Sequence, residues 1–227
     1  MRSGEREPIR RRLRSRFADL VPFALRRLLR RSRTVAGVWS EQAGTWSIGG
    51  YRHWTELQQV QDVINRRVSG DAAVNPYLHF LRSRLDGRLP VPRALTLGCG
   101  SGELERGLSA LGFAVEHEGI DVAPGAIDKA VAAARRQGFP HLGYRVADAN
   151  SLRLEPGSYD VVFGVHSVHH LTALEHVFAH VARALKPGGY LFLNEFVGPS
   201  RFQWTDRQLD VANGLLRALP GELKISL

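Results

Sequence analysis

The stretch Leu95-Thr96-Leu97-Gly98-Cys99-Gly100-Ser101-Gly102-Glu103 constrains this chain more than any other. It reads as the end of a buried strand, a glycine-rich turn and the first turn of a helix. Glycines at alternate positions let the backbone come close to a ligand, because no Cβ stands in the way. Amides at the start of the following helix lack intrahelical acceptors and point toward that ligand. Turns of this kind open nucleotide sites in doubly wound α/β folds. The spacing here is Gly-x-Gly-x-Gly, with glutamate at 103 where a dinucleotide fingerprint would carry its third glycine.

The segments that follow repeat at regular intervals. Residues 115–121 read as a second strand ending in an acid, Asp121, nineteen residues beyond Gly102. Such folds place a carboxylate on a ribose near this distance; the alternative is a turn or helix-capping aspartate before Pro124-Gly125. A helix is expected from about residue 126 to 137, stopped by Gly138. Leu142–Val146 reads as a third strand leading into Ala147-Asp148-Ala149-Asn150. Tyr159–Val165 is an apolar run suited to a parallel strand covered on both faces. It empties into His166-Ser167-Val168-His169-His170-Leu171. Thr172-Ala173-Leu174-Glu175 fits a capping box, and the helix it opens must end at Leu185-Lys186-Pro187-Gly188-Gly189. A fifth strand is expected over residues 190–196. This alternation predicts an α/β fold: a Rossmann-like, doubly wound, mostly parallel sheet with helices on both faces.

Residues 94–196 resemble the core of a class I S-adenosylmethionine-dependent methyltransferase, of the bacterial type 11/12 kind. The matching pieces are the glycine turn at 98–102, the acid at 121, Ala147-Asp148-Ala149, Asp160-Val161-Val162, and Leu185-Lys186-Pro187-Gly188-Gly189. The resemblance implies that Gly98, Cys99, Gly100 and Gly102 border the methionine and ribose of S-adenosyl-L-methionine. It also implies that Asp121, with Val122, holds the ribose hydroxyls, and that Asp148, with Ala149, meets the adenine. The backbone near Val165 and His166 would lie beside the sulfonium. Two departures stand out. The family's usual acid two residues before the first glycine is Thr96 here, a hydroxyl without charge. The family's sheet normally ends with two further strands, and residues 220–227 leave room for at most one, so the C-terminal end is expected to be short or truncated.

Methyl transfer from a sulfonium is an in-line displacement, in which a protein aligns the acceptor and excludes water. A hydroxyl acceptor also needs a base, and histidine suits neutral pH. His166, His169 and His170 follow the fourth strand, where the mouth of such a sheet lies. His166 and His169 are the candidate bases; the alternative is a helix-start histidine bonded to backbone. Glu195, at the end of strand five, either orients an acceptor hydroxyl or forms an ion pair at the cleft edge. No carboxylate spacing supports a metal site among these histidines. Cys99 reads as the small side chain that a tight turn needs.

Charge divides the chain. Residues 1–33 carry twelve arginines against Glu5, Glu7 and Asp19, a net of +9, whereas the remainder holds nineteen basic and nineteen acidic residues. Within the basic segment Ile9, Leu13, Phe17, Leu20, Leu25 and Leu28 recur at roughly helical spacing, interrupted by Pro22. Such a segment is a solvated tail, an element for an anionic membrane surface, or a nucleic-acid arm; its arginine content also resembles an organellar transit peptide. The expected organisation is a basic amphipathic tail and loop over 1–50, a helical lid over 51–90, and the cofactor-binding core over 91–227. Tyr51, His53 and Trp54 are candidate acceptor-side residues. A single cysteine excludes a disulfide framework, no apolar run reaches membrane-spanning length, and a cytoplasmic protein, peripheral at the inner membrane face, is expected. The expected function is a methyltransferase for a small-molecule acceptor, such as a hydroxyl of a sugar or lipid-linked intermediate. The alternatives are a nucleic-acid methyltransferase, disfavoured by the neutral remainder of the chain, and a non-catalytic cofactor-binding module.

Overall fold

The structure is a computed structural model that describes residues 57–198 and 203–220. The basic segment, the loop to residue 50, Tyr51, His53, Trp54 and residues 221–227 lie outside the described residues. The chain divides into two compact units, residues 1–195 and 196–227.

Two helices precede the sheet in the first unit. Helix α1 spans Gln58–Ser69 and ends on Gly70 in the left-handed conformation, whose N–H returns to Arg66 O. Helix α2 spans Pro76–Arg84 and starts as its sequence dictates. The Asn75 side chain accepts from Leu78 N at 2.8 Å, and Pro76 occupies a first-turn position where no N–H is needed. Strand β1 (Val91–Leu97) leads through the glycine turn into α3 (Glu103–Ala110). Strand β2 (Ala114–Asp121), helix α4 (Pro124–Arg136) and β3 (Leu142–Val146) follow. Next come β4 (Tyr159–Val165), α5 (Leu174–Ala184) and β5 (Leu185–Asn194). Helix α4 starts two residues before the expected position, because Pro124 serves as an opening residue.

The five strands form one sheet in the order β3-β2-β1-β4-β5, and every adjacent pair is parallel. The expected doubly wound α/β class is therefore what the chain forms. Strand β4 follows β3 in sequence but lies on the far side of β1. The order reverses between β1 and β4, and the carboxyl ends of those two strands form the crevice where ligands of such sheets bind. Period-two alternation sorts the side chains onto two cores. Leu95, Leu97 and Val162 pack with Val177, Val181 and Ala184 of α5 on one face. Ala94, Val161 and Phe163 pack with Phe80 and Leu81 of α2, Leu85, and Leu108 of α3 on the other. Phe80 meets Phe163 and Tyr190 edge-on, so α2 is built into the core face itself.

Strand β5 departs from its expected start at 190. Leu185 already pairs with Tyr159, and the register then shifts so that Tyr190 pairs with Val161. The intervening Lys186-Pro187-Gly188-Gly189 bulges out; the Lys186 ammonium reaches back to Asp160 Oδ2 at 2.8 Å, and that same oxygen accepts from Arg93 N at 2.9 Å. The capping box expected at Thr172–Glu175 is not formed. Helix α5 has no side-chain cap of its own; Asn150 Oδ1 instead accepts from Thr172 N at 2.8 Å and Ala173 N at 3.0 Å. In the second unit, α6 (Asp206–Ala218) opens with a capping box between Thr205 and Gln208, and none of its residues is buried. Among the described residues no strand follows β5.

Candidate functional site

The turn between β1 and α3 is built by close approach on one side and open space on the other. A Cβ at Gly98 would stand 2.5 Å from Ser167 Cβ, and one at Gly102 would stand 2.5 Å from Tyr144 Oη. At Gly100, φ is 54° and a Cβ would meet nothing within 4 Å. The turn is thus clamped at Gly98 and Gly102 and bare at Gly100. Cys99 lies against Gly119, where an added Cβ would come within 2.8 Å of its own. Burial pushes the Cys99 thiol up, and the nearby Glu105 and Asp121 carboxylates add to this. The thiol stays protonated, which disfavours nucleophilic chemistry there.

Asp121 closes β2 against this turn. Its Oδ2 accepts from Gly100 N and its Oδ1 from Ala123 N, both at 2.9 Å. Each oxygen keeps a second acceptor position, so the carboxylate fixes the turn and can still receive a hydroxyl. Val122 follows, half-buried. Asp148 is exposed beyond β3 and caps a short 3₁₀ turn over Ala149–Ser151, its Oδ1 accepting from Asn150 N and Asn150 Nδ2, both at 2.9 Å. Ala149 is buried in the α5-side core.

The segment after β4 comes directly onto the glycine turn. Ser167 Oγ donates to Leu97 O at 2.6 Å, which ties the segment to the end of β1. His166 has φ 51°, a left-handed conformation that a non-glycine residue adopts at a cost of about 1 kcal/mol or more. It is held there by its own N–H to Asn194 O at 2.9 Å and by the residues after it. Glu195 Oε1 accepts from both Ser167 N, at 2.8 Å, and Val168 N, at 2.7 Å. Glu195 Oε2 meets His169 Nδ1 at 2.7 Å. Burial would raise the Glu195 carboxyl, but the bonds from His169, Val168 and Ser167 outweigh it and hold the group below the ordinary carboxylate range. The His169 and His170 rings lie 4.0 Å apart. Partial burial and its neighbour His169 push His170 down.

Glycine turn, Asp121, His166, His169 and Glu195 therefore converge at the carboxyl ends of β1, β2, β4 and β5. Sequence reading missed Ser167, whose hydroxyl anchors the histidine segment; a small polar residue between two histidines carries no distinctive signal. It also missed Glu105, whose signal was positional. Glu105 and Leu108, three residues apart, are the buried pair of α3.

Residues 95–193 match the family model described as a methyltransferase domain. Those residues carry a methyltransferase domain, in keeping with the class I S-adenosylmethionine-dependent kind that the sequence resembles. A ubiquinone biosynthesis O-methyltransferase of Xanthomonas oryzae pv. oryzae is 33% identical to this chain over 163 residues, covering 67% of this chain and 65% of that protein. The protein of that name from Burkholderia thailandensis is 32% identical over 146 residues, covering 61% of each. The chain thus spans less than two thirds of the length of these curated relatives. Phosphoethanolamine N-methyltransferase 2 of Haemonchus contortus, solved with S-adenosyl-L-methionine, is 20% identical with a TM-score of 0.51, covering 86% of this chain and 40% of that one. That likeness is one of fold.

Proposed function

We propose that the chain transfers a methyl group from S-adenosyl-L-methionine to a hydroxyl of a small-molecule acceptor. The observation that carries this is the His169–Glu195 pair, closed at 2.7 Å beside the glycine turn. The turn fits the cofactor: it is bare at Gly100, and Asp121 beneath it retains acceptor capacity. Gly98, Cys99, Gly100 and Gly102 would border the cofactor's methionine and ribose. Asp121 and Val122 would hold the ribose, and Asp148 and Ala149 the adenine. Bound there, S-adenosylmethionine supplies a methyl carbon on a sulfonium, which an acceptor oxygen takes while the sulfur keeps the bonding pair. Glu195 is an acceptor only, so its partner Nδ1 carries the ring proton and the His169 lone pair lies on Nε2. Nε2 then takes the acceptor's hydroxyl proton and returns it to solvent. His166, on its strained backbone, holds the segment in register against β5.

Transfer to oxygen is further supported by the names of the Xanthomonas and Burkholderia relatives. A lipid-linked acceptor is favoured over a free sugar by the basic amphipathic segment, which would bring residues 1–33 to an anionic membrane surface, such as the inner face of a cytoplasmic membrane. The test uses methyl-labelled cofactor with phenolic, sugar and lipid-linked hydroxyl acceptors. His169→Ala is expected to lower kcat by about 10²–10⁴-fold with cofactor affinity unchanged. Full activity in that variant would remove the base role.

A further inference from the structure

Beneath the glycine turn lies a charged side chain that the chemistry above leaves unused. Glu105 sits in the first turn of α3, faces inward, and is fully buried. Neither of its carboxylate oxygens completes a hydrogen bond. Arg106, the next residue along, favours the charged carboxylate by its own charge but does not pair with it. Thr96 of β1 stands close enough for its hydroxyl to favour the charged carboxylate, and that hydroxyl meets His117 Nε2 of β2 at 2.9 Å. Burial, with some help from His141, drives His117 down to about 3, so the imidazole is neutral. The Arg106 guanidinium is turned to Ser101 O at 2.6 Å. Asp121, Cys99 and Tyr144 are the remaining titratable neighbours, and Asp121 opposes a second negative charge. Burial, the largest influence, raises Glu105 to about 7. The amino end of α3 supplies only a partial positive charge.

An unpartnered acid at a position where Leu108 shows that an apolar side chain would pack is destabilising to the fold. It makes physical sense when a positive charge arrives from outside. Its location narrows which charge. Glu105 stands beside Thr96 near the end of β1 and acts on Cys99 within the glycine turn, the stretch that would border the methionine of the cofactor.

We propose that Glu105 is a positioning residue for the amino-acid end of S-adenosylmethionine, supplying from beneath the turn the negative charge that attracts the ligand's ammonium group. This rests on the cofactor reading above. Ligands that carry the ammonium draw Glu105 into its charged form, so near neutral pH their binding releases a proton. Adenosine, which lacks the amino acid, does neither.

The test is calorimetry on the full chain at pH 6 and pH 8, in two buffers of different ionisation heat, with S-adenosylmethionine, S-adenosylhomocysteine and adenosine. Wild type should bind both amino-acid-bearing ligands several-fold more tightly at pH 8 than at pH 6, with proton release at pH 6, where Glu105 starts protonated and the ligand's amino group is already an ammonium. Glu105→Gln should weaken them about ten-fold at pH 8, remove the proton release, and leave adenosine unchanged. Thr96→Asp in the Glu105→Gln background should restore their affinity. Thermal melting of the unliganded Glu105→Gln protein at pH 8 should be at or above that of wild type. Equal weakening of adenosine, or wild-type affinity and proton release in Glu105→Gln, would overturn the inference while leaving the cofactor reading intact. Failure of wild type to bind any of the three overturns both.

Discussion

At the scale of single residues, the buried pair under the turn titrates in opposite senses. Folded His117 takes a proton only near pH 3, against 6.5 when exposed. As pH falls between those values, the unfolded chain binds one more proton than the folded one, so stability is lost. Folded Glu105 takes its proton near pH 7, against 4.5 when exposed. Between those values the folded chain binds the extra proton, so stability rises as pH falls. Over the overlap, from 6.5 to 4.5, the two contributions largely cancel. Urea unfolding at pH 7.5 and pH 5 should expose them separately. Glu105→Gln should lose on the order of 2 kcal/mol more than wild type on that acid shift, and His117→Gln on the order of 2 kcal/mol less. Equal pH dependence in all three proteins would mean that these side chains are not buried as described. Neither role was legible in the sequence. A histidine in a strand and a glutamate in a helix's first turn look like surface residues until sheet register and helix facing bury them.

At the scale of elements, what is local in the chain was readable and what is distant was not. Strands β3 and β4 start and stop where the sequence placed them. The Asn75-Pro76 and Thr205–Gln208 starts follow from side chains within one helical turn. Strand β5 begins earlier than its apolar run because Leu185 pairs with Tyr159 across a bulge, and pairing is a property of two strands. Helix α5 shows the same limit. Thr172 and Glu175 have capping-box spacing, yet Asn150, more than twenty residues upstream, takes the amides of Thr172 and Ala173 and also accepts from Thr172 Oγ1 at 3.2 Å. This one side chain links the end of β3 to the start of α5. Asn150→Ala leaves those amides without their acceptor and should lower stability by about 1–2 kcal/mol, measured by chemical denaturation. Thr172→Val, which keeps both amides, should lose much less. A loss equal to that of Asn150→Ala would show that the local capping box dominates after all.

At the scale of the whole molecule, the alternation of elements announced a parallel doubly wound sheet, and the glycine turn that marks the candidate site lies where its strand order reverses. The pairing of His169 with Glu195 was hidden, since it joins residues from two strand ends that only the folded sheet brings together. Charge is distributed just as unevenly, and that distribution is legible without any fold. Residues 1–33 hold the entire net charge of +9. Each arginine near an anionic lipid surface contributes about 1 kcal/mol, falling off within a Debye length, so a few engaged side chains suffice for peripheral binding. None of the described helices is long and apolar enough to cross a membrane; a surface interaction carried by arginines would depend on salt because it is electrostatic. Deleting residues 1–33 should abolish co-sedimentation with anionic vesicles. The full chain should bind them at low ionic strength and release them at about 0.5 M salt, where screening shortens electrostatic reach to a few ångströms. Neutral vesicles should bind neither protein. Cofactor affinity should be the same in both, because the glycine turn, Asp121 and Glu105 lie in the neutral remainder of the chain. Vesicle binding that survives the deletion would move the membrane contact to another surface. Loss of cofactor binding on deletion would make the basic segment part of the cofactor-binding core, and the division of labour between an electrostatic anchor and a catalytic sheet would fail.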